Sequence, residues 1–160
     1  MTPDRPRILV ATNGSPSARR AIAVAADLAS TFNAKLFVLH VVSPVEHRVG
    51  RLMPTLPVTR RLDDPHSSPV LADARRLAWT RGVAAEPILV AGEAPCTIVG
   101  LAQDLGADLL VIGSQRRLAP AVLVARTRHW VQTHARCPVL EVPVDRPTPA
   151  RPATQPALVN

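Results

Sequence analysis

The sequence contains few aromatic residues and few cysteines. Among its 160 residues there are two Phe, two Trp and no Tyr. Proteins that bind single-stranded nucleic acid usually stack bases on aromatic side chains, so a nucleic-acid partner is not expected. The two cysteines, Cys96 and Cys137, form no Cys-x-x-Cys pair, which fits a reduced cytoplasmic protein. We interpret both as small packing residues.

Lysine and long apolar runs are also scarce. Lys35 is the only lysine, so the formal net charge of +7 comes almost wholly from arginine. Such a charge attracts anions but does not determine a fold. No apolar run approaches the roughly 20 residues that span a membrane. No signal-peptide core precedes the first apolar run, so the expected location is the cytoplasm.

Small aliphatic residues are abundant, and strand-like and helix-like patterns alternate. Short apolar runs that are typical of strands covered on both faces occur at Arg7 to Thr12, Lys35 to Val42, Ala85 to Ala91, Asp108 to Ile112 and Pro138 to Val142. Helical patterns follow the first four runs, ending at about Phe32, Arg81, Leu105 and His134. The pattern predicts a single-domain α/β fold, an open five-stranded parallel sheet of order 3-2-1-4-5 with helices on both faces.

Local signals sharpen this prediction. Ser15-Pro16 and Ser68-Pro69 each combine a good N-cap with a proline suited to the first helical position. Pro87 favours an edge position for the third apolar strand, because proline cannot donate to a ladder. The first helix has one apolar stripe that we expect to be buried, formed by Ala18, Ala21, Ile22, Ala25, Leu28, Ala29 and Phe32.

Two segments do not fit the alternation. Residues 43–68 carry Pro, Arg and His with scattered apolar residues, and we predict no regular structure there. Residues 144–160 are rich in proline and are predicted to form a poorly ordered tail. The predicted domain therefore covers residues 1–143.

Enzyme and metal motifs are missing. The sequence has no Gly-x-x-x-x-Gly-Lys phosphate loop, no Gly-x-Gly-x-x-Gly turn and no Gly-x-Ser-x-Gly elbow. His129 and His134 are five residues apart, unlike a zinc-binding pair four apart on a helix. His40 is interpreted as a partly buried residue whose ring is hydrogen-bonded. We predict no catalytic residue and no metal site.

Two polar loops follow the first and fourth predicted strands, Thr12-Asn13-Gly14-Ser15 and Gly113-Ser114-Gln115-Arg116-Arg117. In a sheet of order 3-2-1-4-5 these loops leave in opposite directions and open a crevice. Backbone amides at the helix capped by Ser15 could face an anion there. The alternative is that both loops are ordinary turns.

Four strings in this order resemble the universal stress protein family. They are Ile-Leu-Val-Ala-Thr-Asn-Gly-Ser (8–15), Leu-His-Val-Val (39–42), Ala-Asp-Leu-Leu-Val-Ile-Gly-Ser (107–114) and Cys-Pro-Val-Leu-Glu-Val (137–142). The resemblance covers about residues 5 to 143. It implies a five-stranded parallel sheet and a homodimer formed through the last strand, here Pro138, Val139, Leu140, Glu141 and Val142. It also implies that some members bind ATP, at positions that fall on Thr12, Asn13, Gly14, Ser15, Val41, Gly113, Ser114, Arg116, Arg126 and Thr127.

The sequence departs from the ATP-binding pattern of the family. That pattern is Gly, two residues, Gly, nine residues, Gly, then Ser or Thr. Gly113 is kept, but Arg116 replaces the second Gly and Arg126-Thr127 the final pair, with Ala125-Arg126 an equally good alignment. An arginine at a left-handed glycine costs roughly 1 to 2 kcal/mol. The family commonly has Asp at the position of Asn13. A neutral amide in place of the carboxylate weakens a charge-assisted hydrogen bond there by roughly 1 kcal/mol.

Three functional hypotheses follow. The first is a non-catalytic cytoplasmic dimer that acts through protein partners, with weak or lost ATP binding. The second is a switch that still holds ATP or another adenine nucleotide and hydrolyses it slowly if at all. The third is anion or nucleic-acid binding through the arginines, which predicts strong salt dependence.

Overall fold

The computed structural model describes residues 4–42, 60–61, 65–114 and 121–143. These ranges contain the strands β1 (Arg7–Thr12), β2 (Lys35–Val42), β3 (Arg60–Arg61), β4 (Ala85–Ala91), β5 (Leu109–Ser114) and β6 (Val139–Pro143). They also contain the helices α1 (Pro16–Phe32), α2 (Pro69–Trp79), α3 (Ala94–Asp104) and α4 (Ala121–His134), with a short 3-10 helix, Pro65–Ser67, before α2. The predicted tail, 144–160, lies outside the described residues.

The strands form one sheet of order β3-β4-β2-β1-β5-β6. The five longer strands are parallel to one another, which confirms the predicted fold and strand order, and β3 pairs antiparallel with β4. Pro87 lies in β4, the outermost parallel strand on one side. The prediction of no regular structure over 43–68 was wrong at two places, β3 and the 3-10 helix. A two-residue strand is too short to leave a period-two pattern in a sequence.

Both Ser-Pro signals start helices as predicted. The Ser15 hydroxyl accepts a hydrogen bond from the Ala18 amide at 3.2 Å, and Pro16 begins α1. The Ser68 hydroxyl accepts one from the Leu71 amide at 3.4 Å at the start of α2. Each serine thus supplies a partner to an amide that the helix itself leaves without one.

The core is divided into two layers by the sheet. On one side, α1 and α2 pack on the face that includes Val10, Val38 and Val111. On the other side, a second cluster joins Leu9 and Leu110 to side chains of α3 and α4. Both clusters consist mainly of Ala, Val, Leu and Ile, in keeping with the composition.

Two burial predictions were wrong. Phe32 is 63% exposed, although its spacing places it on the buried stripe of α1. The stripe ends at Ala29, because β2 begins at Lys35 and Phe32 therefore lies at the end of the sheet, where no core remains to cover it. Cys96 is also exposed, since Thr97 and Ile98 take the inward positions at the start of α3.

Candidate functional site

The candidate site lies at the carboxyl ends of β1 and β5. These strands are neighbours, with Ala11 opposite Ile112. The chain leaves β1 into α1 on one face of the sheet, whereas α4, the helix that follows β5, lies on the other face. This divergence is the arrangement that opens a ligand crevice in α/β sheets.

The loop after β1 is closed by its own side chains. The Thr12 hydroxyl accepts a hydrogen bond from the Gly14 amide at 3.2 Å, and Asn13 Oδ1 accepts one from the Ser15 amide at 3.1 Å. Gly14 has φ +77°, which glycine adopts without strain. The amides of Gly14, Ser15 and Ala18 therefore have acceptors within the chain, and Pro16 offers no amide hydrogen.

Gly113, at the end of β5, lies against the first turn of α1. A Cβ atom at this position would be 2.6 Å from the backbone carbon and oxygen of Ser17 and 2.7 Å from the Ala18 nitrogen. No real Cβ atom tolerates such distances, so only glycine fits here. Helix packing alone accounts for the first glycine of the ATP-binding pattern.

A single carboxylate, that of Glu141, lies beside Ser114, the last residue of β5, and binds several donors. Arg128 Nη1 donates to Glu141 Oε1 at 2.9 Å, and Gln132 Nε2 donates to Glu141 Oε2 at 3.0 Å. The buried hydroxyl of Ser114 also hydrogen-bonds to the Glu141 carboxylate. Glu141 therefore joins β6, β5 and α4 at the rim of the crevice.

These contacts change the acidity of Glu141. Partial burial by itself raises the pKa of this carboxyl group. The hydrogen bonds from Ser114, Arg128 and Gln132, with the positive charge of Arg128, outweigh burial and hold the pKa below its usual value. The carboxylate is therefore charged at neutral pH.

The lowered pKa predicts a component of stability that acid removes. A carboxyl group whose pKa is lower in the folded than in the unfolded chain stabilises the fold above its unfolded pKa, about 4.3 for Glu. This contribution is lost as the pH falls through the folded pKa. Glu141→Gln should thus flatten the decline of the free energy of unfolding below about pH 4.3, as measured by urea unfolding at a series of pH values. Equal acid slopes for the variant and the wild type would contradict the prediction.

The other sequence candidates are only partly placed. Val41 lies in β2 and is partly buried on the α3 and α4 side of the sheet. Thr127 lies in α4, is partly buried and has a polar contact of its own. Arg116 and the side chain of Arg126 lie outside the described residues. The described part of the site thus brings the Thr12 to Ser15 loop together with Gly113 and Ser114.

Sequence reasoning missed three features of the site. It did not find the contact of Ser17 with Gly113, or the roles of Arg128 and Gln132. Glu141 was predicted only as part of a dimer strand, although a single charged residue among the apolar residues of β6 is a usable signal. His40 matches its interpretation: it is partly buried and its Nδ1 lies 3.2 Å from the Ser68 hydroxyl.

Neither a metal-ligand cluster nor a membrane-spanning helix occurs among the described residues. In those ranges there is no group of three or more His, Cys, Asp or Glu side chains that could hold a metal ion. Nor does any helix in the described part of the chain have the length and apolar character needed to cross a membrane.

Comparison with known proteins identifies the family. A model of the universal stress protein family matches residues 5–143. The chain is 34% identical over 136 residues to a universal stress protein of Thermus aquaticus, covering 84% of this chain and 96% of that protein. The chain therefore belongs to the universal stress protein family.

Solved structures of universal stress proteins share the fold of this chain. A universal stress protein in complex with cAMP superposes with a TM-score of 0.64 at 26% identity, over 86% of this chain and 95% of that one. The universal stress protein of Archaeoglobus fulgidus in complex with dAMP gives a TM-score of 0.57 at 26% identity, over 86% and 97% of the two chains. Two related folds of similar sequence thus hold adenine nucleotides.

Proposed function

We propose that this universal stress protein is a non-catalytic, cytoplasmic interaction domain with weak or lost ATP binding that acts through protein partners. One observation carries the proposal. The amides of Gly14, Ser15 and Ala18, which lie where a phosphate could bind after β1, already donate to Thr12, Asn13 and Ser15 of the same loop. A phosphate would have to displace these short-range bonds, and such exchange contributes little net affinity.

The sequence of the phosphate-binding segment supports the same proposal. Arg116 and Arg126 occupy positions where the ATP-binding pattern has glycine. An amide nest binds by close approach of the backbone, and a long side chain fills the space that the phosphate needs. Positive charge on these arginines acts in the opposite direction, because guanidinium groups can clamp phosphate. We expect the steric loss to be the larger effect.

A second candidate function is a nucleotide-dependent switch. It is favoured by two universal stress proteins, each 26% identical to this chain, whose structures are complexes with cAMP and dAMP. The two loops that border the crevice are also adjacent, because β1 pairs with β5 and Gly113 contacts the first turn of α1. The residues of these loops are Thr12, Asn13, Gly14 and Ser15 after β1, and Gly113 and Ser114 at the end of β5. In this alternative ATP or another adenine nucleotide would bind between Asn13 and Gly113, with Val41 near the site on β2.

Equilibrium titration with labelled ATP and magnesium separates the two functions. For the interaction domain we expect no saturation below millimolar nucleotide and no phosphate release on long incubation. A Kd for ATP of about 1 μM would overturn the proposal, since it corresponds to binding about 4 kcal/mol stronger than a Kd of about 1 mM. Complete absence of binding at millimolar nucleotide would eliminate the switch.

We also propose a homodimer formed through β6. The strand is the outer strand on its side of the sheet, pairing with β5 alone among the described residues. Val139, Leu140 and Val142 lie in an edge strand whose outer backbone groups pair with no other described strand, and such an edge favours pairing with a second copy. Sedimentation at tens of micromolar protein should give about twice the chain mass of 17.1 kDa. A monomeric mass at that concentration would refute the dimer.

A further inference from the structure

Glu141 stands out among the residues of β6. It is the one charged residue of Val139–Pro143, and its side chain is 26% exposed. Its neighbours along the strand pack into the core, with Val139 on one face of the sheet and Leu140 and Val142 on the other. Glu141 points to the α4 side, where Arg128 and Gln132 are one helical turn apart and both donate to it.

The carboxylate lies at the ligand end of the sheet. Its cross-strand neighbour is Ile112, two residues before Ser114 on the same face of β5. Ser114 belongs to the loop region that the sequence assigns to the ligand, and Arg128 directly follows Thr127 of the same assignment. The donors that bind Glu141 therefore include one predicted ligand residue, Ser114, and a residue next to another, Arg128.

The chemistry of these donors does not distinguish a carboxylate from a phosphate. A guanidinium group, an amide N–H and a hydroxyl each donate to any oxyanion, and guanidinium binds both classes well. In this chain both oxygens of Glu141 are occupied, one by Arg128 and the other by Gln132. An incoming phosphate would find these donors engaged and would be repelled by the charge of the carboxylate.

We propose that Glu141 is a built-in competitor for the phosphate groups of a nucleotide, holding Arg128, Gln132 and Ser114 in place of a ligand. This inference rests on the proposed function, since it explains weak binding at the same site. It names one residue that weakens the binding of a polyphosphate at this site. Removal of the carboxylate frees a guanidinium group and a hydroxyl at the rim of the crevice.

The structural alternative is an ordinary ion pair that only anchors α4 to β6. Exposed ion pairs contribute little to stability, and the Arg128 side chain is 39% exposed. The two roles differ in a measurable way. An anchor lost by mutation leaves affinity for polyphosphate unchanged or weaker, whereas a competitor lost by mutation makes it stronger.

The test uses the full chain and two probes, inorganic tripolyphosphate and magnesium ATP. Glu141→Gln, which keeps the shape of the side chain, should bind both probes about tenfold more tightly than the wild type. Glu86→Gln is the matched control, because it removes the same charge at an exposed position of β4 near the opposite ends of the strands. Equal gains in both variants would reduce the effect to net charge and overturn the proposal.

A double variant tests the donor. Glu141→Gln combined with Arg128→Gln should lose the gain, because the freed guanidinium group is what binds the probe. A gain that persists without Arg128 would also overturn the proposal. Thermal unfolding of each variant checks that the fold is kept.

The wild type gives a measurement that does not depend on a variant folding. Tripolyphosphate at high concentration should displace Glu141 and shift the side-chain amide signals of Gln132 in an NMR titration. Unshifted Gln132 signals while the probe binds would contradict competition.

The ATP titrations distinguish failure of the proposed function from failure of this inference. Micromolar ATP binding by the wild type would contradict the proposed weak binding. Tighter binding by Glu141→Gln than by that wild type would still support competition by Glu141. No binding by either protein would leave weak binding intact and overturn the competitor.

Discussion

Replacing Gly113 by alanine should lower the free energy of unfolding by about 3 kcal/mol, the upper end of the usual cost of overpacking a core. The added Cβ atom would lie 2.6 Å from the backbone of Ser17. Backbone atoms cannot rotate away as a side chain can, so β5 and α1 must move apart. Both elements are held by their neighbours, β5 by β1 and β6 and α1 by the N-cap at Ser15.

Chemical unfolding of the wild type and two glycine variants measures this cost. Gly100 is the matched control, because it lies inside α3 and an added Cβ atom would meet nothing within 4 Å. Gly100→Ala should stabilise the protein by roughly 0.5 to 1 kcal/mol through helix propensity. If both alanines stabilised the protein equally, the close approach of α1 to Gly113 would be refuted.

The same contact changes the meaning of a motif glycine. In the ATP-binding pattern of the family the first glycine belongs to the ligand site, and the sequence keeps it at Gly113. The structure gives this residue a separate reason, the Ser17 backbone. Loss of nucleotide binding would not release Gly113 from this constraint. Its presence therefore does not argue for a bound nucleotide, whereas the arginines at 116 and 126 do argue against one.

The strands were the most predictable part of the fold. β1, β2 and β4 have the bounds that their apolar runs predict, because parallel strands covered on both faces need continuous apolar residues. The Ser-Pro pairs at 15–16 and 68–69 fixed two helix starts by local chemistry alone. Alternation of the two patterns then left few topologies, and the observed order of the five parallel strands is the predicted one.

Features that depend on distant residues could not be predicted in this way. Helical spacing identifies the face of α1 that is buried, but it does not show where the sheet beneath that face ends, and Phe32 is past that point. The contacts of Glu141 join residues 114, 128, 132 and 141, which come from three elements. For the loop after β1, the side chains that close the amides are visible in the sequence. Which acceptor each amide takes is set by the turn geometry.

Hydrophobic size is a poor guide to burial in this chain, and this leads to a second strong prediction. Trp79 is 72% exposed at the last residue of α2, while Leu110 is fully buried. Leu110 lies in β5 with Leu9 and Val139 as its strand neighbours and packs in the second core cluster. The smaller of the two side chains therefore contributes more to stability.

Leu110→Ala should lower the free energy of unfolding by about 3 kcal/mol, within the range for buried leucines. Trp79→Ala removes a larger side chain and should change stability by no more than about 0.5 kcal/mol, as exposed substitutions do. Urea unfolding of both variants, with equal m-values, makes the comparison. A loss below about 1 kcal/mol for Leu110→Ala would mean that the layer between β5 and helices α3 and α4 is loosely packed.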